Sequence, residues 1–597
     1  MGIQERLQAL REKMKERGIQ AYLVPTDDFH GSEYVGDYFK CRQYITGFTG
    51  SAGTALVLPD MAGLWTDGRY FIQAERQMEG SGVTLFRMRE PGVPTIHEFL
   101  KKHVKAGQCL GFDGRTVSAR EEECLEKLME ENHAAVKSDV DLIGEIWQDR
   151  PALSCEPVWE LELCWAGESR EEKCRKIREE MKKKGADAFL LTSLEDIAWM
   201  LNIRGNDIHC CPVVLSYLLM TETEIRLFAN KDAFSDSLRE ILERAGVSLY
   251  GYEEIYDHLA KLPGGMKVLL HKGKVNGRLV KCLPEDTVIL DQVNLTLLPK
   301  ALKNETEVAN ERIAHIKDGT AVTKFICWLK KNVGKIPITE LSAAKKLEEF
   351  REEQEHFLGN SFDPIISYGE HAAMNHYSAT PETDVPVLPE GLLLADTGGH
   401  YLEGSTDITR TVVMGEITAE QRKFFTAVLR GHLNLAAAKF RYGCGGVNLD
   451  YLARSPLWEM DEDFNHGTGH GVGYLLSVHE GPNGIRWRLM PDRDESAVLE
   501  PGMITSNEPG YYVEGEYGIR HENLMVCKEA GEKNHIRFLC FEDLTMVPFD
   551  LDGVDPKQMT EKERELLNQY HEKVYEKIAP HLTEEEREWL REATRRI

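Results

Sequence analysis

Four carboxylates and one imidazole in the C-terminal half of the sequence have the residue types and the spacing of a metal site. Asp396 ends an apolar run, and Asp407 follows eleven residues later. Glu508 and Glu522 repeat this arrangement at a spacing of fourteen residues, and His470 lies between the two pairs in a glycine-rich segment. A hairpin of either length returns its second strand beside its first, so we expect each pair of acids at one end of a sheet.

Buried carboxylates that cluster in this way repel one another unless cations lie between them. An oxygen-rich site with one nitrogen suits hard or borderline divalent ions, and this one has enough ligands for two. A water that bridges two such ions can have its pKa lowered to about 7, which supplies a hydroxide nucleophile at neutral pH. The motifs GxSxG and HExxH are absent, and no cysteine shares a motif with a histidine. Serine, cysteine and thermolysin-type mechanisms are therefore disfavoured.

The sequence blocks that contain these residues are ADTGGHYLEGSTDITRT, FNHGTGHGVGYLLSVHEGP, SNEPGYY and GIRHEN. They resemble the pita-bread metallopeptidases of family M24. Within that family the resemblance is to the aminopeptidase P (Xaa-Pro aminopeptidase) branch in its long, three-domain form. It extends to TGFTGSAGTALV and WTDGRYFIQA near the N-terminus, LTSLEDIAWMLNIRG in the middle and FEDLTMVPFDLDGVD near the C-terminus.

The resemblance implies that all five residues are metal ligands. Asp407 and Glu522 would bridge the two ions, Asp396 would bind one of them, and His470 and Glu508 would bind the other. It also implies that Glu508 is the acid and base that moves a proton from water to the leaving nitrogen.

Three further histidines, His376, His466 and His479, match substrate-binding positions of the family. We count them as catalytic as well, because an imidazole can donate a hydrogen bond to a carbonyl oxygen as that oxygen gains charge. The glycines that flank His466 and His470 are expected to permit close approach of the backbone to a ligand.

Other residues near the motifs have less specific interpretations. Arg520 is a candidate substrate-binding residue and a candidate partner of Glu522, with a plain surface ion pair as the alternative. Tyr401 matches a site tyrosine of the family, although a strand tyrosine is more often part of the packing. His521 would point away from the face of Glu522 if the segment is a strand. The charged stretch 485–500 predicts a loop at the rim of the cleft.

By resemblance, the expected function is hydrolysis of the bond between an N-terminal residue and a penultimate proline. A proline amide has no N–H and a fixed φ, so its recognition requires a shaped pocket. Manganese is the favoured metal, and zinc and cobalt remain chemically possible. Two alternatives stay open: a prolidase that cleaves only Xaa-Pro dipeptides, and a non-catalytic pita-bread module that binds peptides or proteins.

Composition excludes some partners and favours a compartment. A net charge of −27 over 597 residues argues against nucleic acid or an anionic membrane as the main partner. No apolar run approaches the length of a membrane span, and residues 1–15 predict a charged amphipathic helix rather than a signal peptide. Thirteen scattered cysteines then favour reduced thiols in the cytoplasm. A homodimer is expected.

An internal repeat organises the N-terminal half, where residues 10–23 match residues 177–190. Each copy predicts a helix that ends at a glycine and is followed by a buried strand. The expected fold class is therefore α/β and α+β: two duplicated creatinase-type α/β domains, a pita-bread domain whose two halves contribute one metal-binding arm each, and a charged helical tail. The predicted domains are residues 1–155, 156–303, 304–550 and 551–597. The tail is expected to dock or to form a dimer, or to be a solvated helix.

Overall fold

The computed structural model describes residues 1–375, 377–489 and 495–597. The chain divides into two compact units. Unit 1 comprises Met1–Leu161 and Glu168–Thr296, and unit 2 comprises Glu162–Gly167 and Leu297–Ile597. All the predicted ligands lie in unit 2, whereas unit 1 contains the predicted domain 1–155 and most of the predicted domain 156–303. The predicted domain boundaries stay predictions.

Unit 1 contains two six-stranded sheets with the same strand order. The first consists of β1 (Ala21–Pro25), β2 (Thr54–Val57), β3 (Ala62–Thr66), β4 (Val83–Arg87), β5 (Cys109–Gly111) and β6 (Ala135–Lys137), in the order 4-3-2-1-5-6. After β7 (Trp159–Glu160), which pairs with β9 (Ile203–Arg204), the second consists of β8 (Ala188–Leu191), β10 (Ser216–Thr221), β11 (Ile225–Ala229), β12 (Val247–Gly251), β13 (Lys267–Leu270) and β14 (Val288–Asp291), in the order 12-11-10-8-13-14. The predicted duplication is confirmed.

Each repeat opens with a helix of the predicted kind. α1 (Ile3–Arg17) ends at Gly18 and α8 (Arg170–Lys184) ends at Gly185, both at φ 67°. A left-handed residue at this position favours glycine, which explains the matching helix ends in the two copies. The other helices of unit 1 are α2 (Cys41–Thr46), α3 (Phe71–Met78), α4 (Ile96–His103), α5 (Ala119–Glu131), α6 (Leu142–Ile146), α9 (Leu194–Leu201), α10 (Asp236–Arg244), α11 (Glu254–Ala260) and α12 (Gly277–Lys281).

Unit 2 is built around two antiparallel strand pairs, each interrupted by a smaller hairpin. Its strands are β15 (Phe357–Asn360), β16 (Ile365–Tyr368), β17 (Leu392–Thr397), β18 (Gly399–Tyr401), β19 (Gly404–Ser405), β20 (Ile408–Val413), β21 (Lys439–Arg441), β22 (Gly469–Gly471), β23 (Glu480–Ile485), β24 (Ile504–Asn507), β25 (Gly510–Val513), β26 (Tyr517–Arg520), β27 (Asn523–Lys533) and β28 (Ile536–Asp543). In the first half β17 pairs with β20, and β18 and β19 lie between them in the chain. In the second half β24 pairs with β27, and β25 and β26 lie between them.

Helices cover these sheets. They are α7 (Leu163–Ala166), α13 (Leu297–Ala301), α14 (Glu305–Asn332), α15 (Glu340–Glu352), α16 (Ala419–Ala436), α17 (Asp450–Trp458), α18 (Glu561–Ile578) and α19 (Glu584–Ala593). α14 begins at Asn304, whose side chain accepts hydrogen bonds from the first free backbone N–H groups of the helix. Phe325 and Leu329 of α14 and Leu347 of α15 pack on the β17–β20 pair in one buried cluster. Across the described ranges, no helix is both long and apolar enough to cross a membrane.

The C-terminal tail differs from the solvated helix that was one of our two alternatives. Leu567, Val574 and Ile578 of α18 are fully buried in the same cluster as Phe425 and Val428 of α16. Apolar or aromatic residues three or four positions apart give α18 a face that must be covered, which the high charge of the segment concealed. The solvated alternative is therefore wrong for α18.

Arg410 joins the two halves of unit 2 to α18. This β20 side chain is buried, and its Nη1 donates to the backbone oxygen of Glu522 at 2.6 Å. Its Nη2 donates to Asn523 Oδ1 at 2.7 Å, to Val547 O at 2.8 Å and to Tyr570 Oη at 3.0 Å. One guanidinium therefore satisfies buried acceptors from three separate segments of the chain.

Substitution Arg410→Met is expected to loosen these segments, because it keeps apolar volume but leaves several buried acceptors without a donor. Each such acceptor costs about 1–3 kcal/mol, so hydrogen exchange in β20 and α18 should accelerate roughly 100-fold. Mass spectrometry of exchanged peptides measures this. Arg175→Met, at an exposed position of α8 where the partners are Glu172 and Glu179 of the same helix, is the control and should leave both elements unchanged. Equal exchange in the two variants would contradict the assignment.

Candidate metal centre

The five predicted ligands come from matching positions of the two strand pairs. Asp396 lies near the end of β17, and Asp407 directly precedes β20. Glu508 directly follows β24, and Glu522 directly precedes β27. His470 is the central residue of β22, which pairs with β24. Each half therefore places two acids at the same end of an antiparallel pair, as the spacing predicted.

These side chains form one cluster. Asp407, His470 and Glu522 each offer a ligand atom, and the three atoms lie within 4.8 Å of one another. His470 Nε2 is 3.6 Å from Asp407 Oδ2 and 3.5 Å from Glu508 Oε1. Such separations leave room for an ion between the groups.

The tautomer of His470 follows from its backbone contact. Its Nδ1 lies 3.0 Å from the carbonyl oxygen of Gly471, which can only accept a hydrogen bond. Nδ1 therefore carries the proton, and in the neutral ring Nε2 presents its lone pair to the carboxylates. A second hydrogen bond that fixes the ring in this way is typical of metal-binding histidines.

Burial and mutual repulsion disfavour the ionised form of the acids. The pKa of Asp407 is raised well above its ordinary value by burial, then by the charges of Asp396 and Glu508. The pKa of Glu522 is raised well above its ordinary value by burial, then by Asp407 and Glu508. Burial raises the pKa of Glu508 to about 7, with Arg520 opposing the shift and Asp396 adding to it. The single positive charge of Arg520 therefore does not balance the negative charges of the cluster.

The donor set fits divalent cations. Asp396 Oδ2 accepts a hydrogen bond from Arg520, whereas Asp396 Oδ1 is buried and has no hydrogen-bond partner among the described residues. A buried carboxylate oxygen without a partner is costly, and a cation would supply that partner. Carboxylate oxygens with one imidazole nitrogen suit manganese, zinc or cobalt.

Two hydroxyl groups, each two residues from a predicted ligand, donate hydrogen bonds to the carboxylates of predicted ligands. The sequence did not lead us to predict these contacts. Thr409 Oγ1 donates to Glu522 Oε2 at 2.7 Å. Ser506 Oγ donates to Glu508 Oε1 at 3.1 Å and accepts from the backbone N–H of His470 at 2.9 Å. Residues two apart in a strand share a face, so a polar residue at that distance from a ligand was an available signal.

Arg520 differs from the expectation in its partner and its environment. Only 4% of its surface is exposed, so the alternative of a surface ion pair is wrong. Its guanidinium donates to Asp396 Oδ2, to Thr409 Oγ1 at 3.2 Å and to Tyr512 Oη at 2.7 Å. These contacts join it to the carboxylate of Asp396 rather than to that of Glu522. A role in substrate binding stays a prediction.

Two of the three additional histidines lie beside the cluster. The ring of His479 packs edge-to-face on that of His470, with centroids 4.4 Å apart. His466 Nδ1 is 3.9 Å from Glu508 Oε2, and its Nε2 is 2.8 Å from Tyr512 Oη. Since Tyr512 Oη accepts from Arg520, it can donate to His466, which links this histidine through Arg520 to the carboxylate of Asp396. Tyr512, in the motif SNEPGYY, was not singled out from the sequence.

His376 lies outside the described residues, but the segments on either side of it are anchored. Glu340, at the start of α15, is buried and accepts a hydrogen bond from Tyr377 Oη at 3.1 Å. Its two carboxylate oxygens lie 3.0 and 3.1 Å from His371 Nδ1. A Cβ at Gly518 would lie 1.9 Å from the carbonyl oxygen of Ala372, so this segment packs directly on β26.

The glycines that flank His466 and His470 were expected to permit close approach of the backbone to a ligand, but they lie against other parts of the protein. A Cβ at Gly469 would lie 2.0 Å from Ser506 O, and one at Gly471 would lie 2.2 Å from Glu480 O. These glycines therefore permit close approach of β22 to its neighbours rather than to a ligand. A Cβ at Gly467 would meet the guanidinium of Arg486 at 2.5 Å. Arg486, from the charged stretch 485–500, thus lies next to the His466 segment; residues 490–494 are outside the described ranges.

The remaining predicted residues lie in buried positions. Tyr401 is fully buried, and its hydroxyl donates to Asp318 Oδ1 at 2.9 Å. His521 is fully buried against the rings of Phe425 and Phe549, at 4.4 and 5.5 Å, which places it in the core. Both positions are part of the packing.

Comparison with known proteins identifies the family. Sequence profiles match over four segments: the creatinase/prolidase N-terminal domain at residues 6–150 and 149–307, metallopeptidase family M24 at 309–529, and the C-terminal region of peptidase M24 at 537–597. The chain is 38% identical over 600 residues to the probable Xaa-Pro aminopeptidase P of Laccaria bicolor. The aligned region covers 98% of this chain and 92% of that protein. The chain belongs to metallopeptidase family M24.

Two solved structures match the chain to different extents. The X-prolyl aminopeptidase of Caenorhabditis elegans, described as a cytosolic enzyme with a di-nuclear active site, matches 100% of both chains with a TM-score of 0.94 and 34% identity. The Xaa-Pro dipeptidase of Bacillus anthracis matches 64% of this chain and 99% of its own, with a TM-score of 0.50 and 21% identity. The dipeptidase thus shares the fold over part of the chain, while the aminopeptidase matches throughout.

The raised pKa values predict how the stability of the metal-free protein depends on pH. An acid whose pKa is higher in the folded state contributes stability at low pH that is lost as the pH rises through the folded value. For Glu508 this loss extends from its ordinary value of 4.5 to about 7. Chelated protein should therefore have a lower melting temperature at about pH 8 than at about pH 5, and added Mn²⁺ should reverse the loss. Glu508→Gln should reduce the difference; an identical profile in this variant would contradict the prediction.

Proposed function

We propose that this chain is an aminopeptidase that hydrolyses the bond between an N-terminal residue and a penultimate proline. The observation that carries the proposal is the cluster of Asp407, His470 and Glu522 ligand atoms within 4.8 Å, in a chain that matches an X-prolyl aminopeptidase along its full length. A cluster of this kind needs no serine or cysteine nucleophile. The substrates are peptides with proline at the second position.

We further propose that two divalent ions bind here and that Mn²⁺ is the physiological metal, with Zn²⁺ or Co²⁺ as alternatives. The ligands would be Asp396, Asp407, His470, Glu508 and Glu522, with Asp407 and Glu522 shared by both ions. Support comes from the buried Asp396 Oδ1, which has no hydrogen-bond partner among the described residues, from the position of His470 Nε2 within 3.6 Å of Asp407 and Glu508 oxygens, and from the raised pKa values of Asp407 and Glu522. When bound, such ions lower the pKa of water and polarise the scissile carbonyl.

Glu508 is our candidate for the proton transfer. Burial gives it a pKa of about 7, which suits a group that must accept and return a proton near neutral pH. Its Oε1 accepts from Ser506, whereas Oε2 faces His466 at 3.9 Å. Oε2 would take the proton from the nucleophilic water and deliver it to the proline nitrogen, which cannot leave as an anion.

His376, His466 and His479 are proposed to bind the substrate and to donate hydrogen bonds to its carbonyl oxygens. The position of His466 next to Glu508 and that of His479 next to His470 support this role. Arg520 would hold Asp396 and, through Tyr512, His466, so its proposed contribution to substrate binding is through these residues.

We also propose that the protein is a cytoplasmic homodimer. The cytosolic relative from Caenorhabditis elegans and the many cysteines support the compartment. The net charge of −27 argues against nucleic acid or an anionic membrane as the main partner.

A panel of peptides distinguishes the aminopeptidase from a prolidase. The aminopeptidase should release the first residue from Xaa-Pro-Xaa tripeptides and longer peptides, because its substrate is not limited by a requirement for a free carboxylate on proline. Chromatography of the products measures this. Xaa-Ala-Xaa peptides of equal length are the control and should be cleaved at least ~100-fold more slowly. Cleavage of Xaa-Pro dipeptides alone would establish the prolidase instead.

Metal removal tests the ligand assignment. Elemental analysis of the purified protein should give two divalent ions per chain, chelation should abolish hydrolysis, and Mn²⁺ should restore it. Glu522→Gln removes a proposed shared charge and should reduce kcat/KM at least ~1000-fold, with fewer than two ions bound. Glu516→Gln, on the exposed turn between β25 and β26, is the matched control. A wild-type protein that binds no metal would revive the non-catalytic binding module.

A further inference from the structure

The residues next to Asp396 and Asp407 face away from the metal cluster. Thr397 follows Asp396 at the end of β17, and Thr406 precedes Asp407 before β20. Successive side chains of an extended segment point to opposite faces, so both threonine hydroxyls lie behind the carboxylates. What binds these hydroxyls determines how firmly the first metal-binding arm is held.

Behind the arm lies an ion pair between α14 and α15. Arg351 Nε donates to Asp318 Oδ1 at 2.7 Å, and Arg351 Nη2 donates to Asp318 Oδ2 at 3.2 Å. Both side chains are completely inaccessible to solvent. The planar guanidinium is suited to such a two-point contact, which a lysine could not reproduce.

The ion pair binds both threonines. Arg351 Nη2 donates to Thr397 Oγ1 at 3.0 Å, and Thr406 Oγ1 donates to Asp318 Oδ2 at 2.7 Å. Thr406 Oγ1 also accepts from the backbone N–H of Gly399 at 2.9 Å. The Tyr401 hydroxyl donates to the other oxygen of Asp318 at 2.9 Å. Asp318 therefore accepts four hydrogen bonds, and two of them come from the turn between β17 and β20.

A buried ion pair is weak support for a role in stability, because the loss of hydration offsets most of the attraction between the charges. A better explanation for the buried Asp318–Arg351 ion pair is that it fixes the positions of the residues that it binds. Here the neighbours are the residues adjacent to two acids that repel each other. Without a restraint, the turn could relax and carry Asp396 and Asp407 apart.

We propose that Asp318 and Arg351 are positioning residues for the metal centre: through Thr397 and Thr406 they hold Asp396 and Asp407 at the separation that metal binding requires. This inference rests on the ligand assignment made under the proposed function. Neither residue touches substrate or metal, so their effect is on metal affinity.

Threonine variants test the link without removing a buried charge. The double variant Thr397→Val/Thr406→Val keeps the volume of both side chains but cuts both hydroxyl contacts. The double variant Thr397→Ser/Thr406→Ser keeps the hydroxyls and should restore wild-type behaviour. Thr320→Val, which removes a buried hydroxyl bonded within α14 itself, is the matched control for the loss of a hydroxyl.

Mn²⁺ binding to chelated full-length protein is measured by titration calorimetry, together with the electron paramagnetic resonance signal of the coupled Mn²⁺ pair. The valine pair should bind at least one ion about 10–100-fold more weakly and lose much of the coupled signal, as expected when a group that orients a ligand is removed. The serine pair and Thr320→Val should bind Mn²⁺ like the wild type. Melting temperatures of the metal-free variants show whether each remains folded.

The outcomes separate this inference from the proposed function. If wild-type protein binds two Mn²⁺ ions and the valine pair binds them equally well, the positioning role is wrong although the ligand assignment stands. Equal weakening in Thr320→Val would also overturn it, since that result reflects a general loss of packing. If the wild type binds no metal, the proposed function itself fails.

Discussion

The repulsion among Asp396, Asp407, Glu508 and Glu522 is the constraint on which the rest of unit 2 depends. Taking a carboxylate out of water costs several kcal/mol even after relaxation, and four in one cluster add repulsion to that cost. Burial with repulsion raises the pKa of Asp407, Glu508 and Glu522, and Arg520 offsets only part of the negative charge. The fold must therefore hold these acids against their own tendency to separate or to take up protons.

Neither strand pair holds its acids in place alone. Hydrogen bonds join the β17–β20 pair to the β24–β27 pair at several points. The Glu522 backbone N–H donates to Thr409 O at 3.0 Å, and the Thr409 hydroxyl donates to the carboxylate of Glu522. Arg410 then binds the backbone oxygen of Glu522 and the α18 residue Tyr570. Because Tyr570 of α18 completes this network, α18 is a structural part of unit 2 despite its high charge.

The placement of the four acids at strand ends and the duplication in unit 1 could be predicted because both are local in sequence. Spacing and glycine-rich turns placed the acids at strand ends, and two helix–glycine–strand segments revealed the repeat. The supporting contacts could not be predicted in this way. Arg351 is 46 residues from Thr397, and Asp318 is 88 residues from Thr406, with no pattern that relates them. The glycines around His470 were misinterpreted for the same reason, since the strands that they approach are distant in the chain.

The two arms, β17–β20 with Asp396 and Asp407 and β24–β27 with Glu508 and Glu522, hold their acids in place by different contacts. In the first, Asp396 and Asp407 are backed by a buried ion pair between two helices, and Arg520 from the other half neutralises Asp396. In the second, the hydroxyls of Ser506 and Thr409 donate hydrogen bonds to the carboxylates of Glu508 and Glu522. Each arm carries two acids that repel each other, so each needs a support that opposes their separation. His470 Nε2 lies about as close to Asp407, at 3.6 Å, as to Glu508, at 3.5 Å, so this imidazole does not distinguish the two arms. The difference lies in the support itself, which is a buried ion pair behind the first arm and single hydroxyl groups in the second.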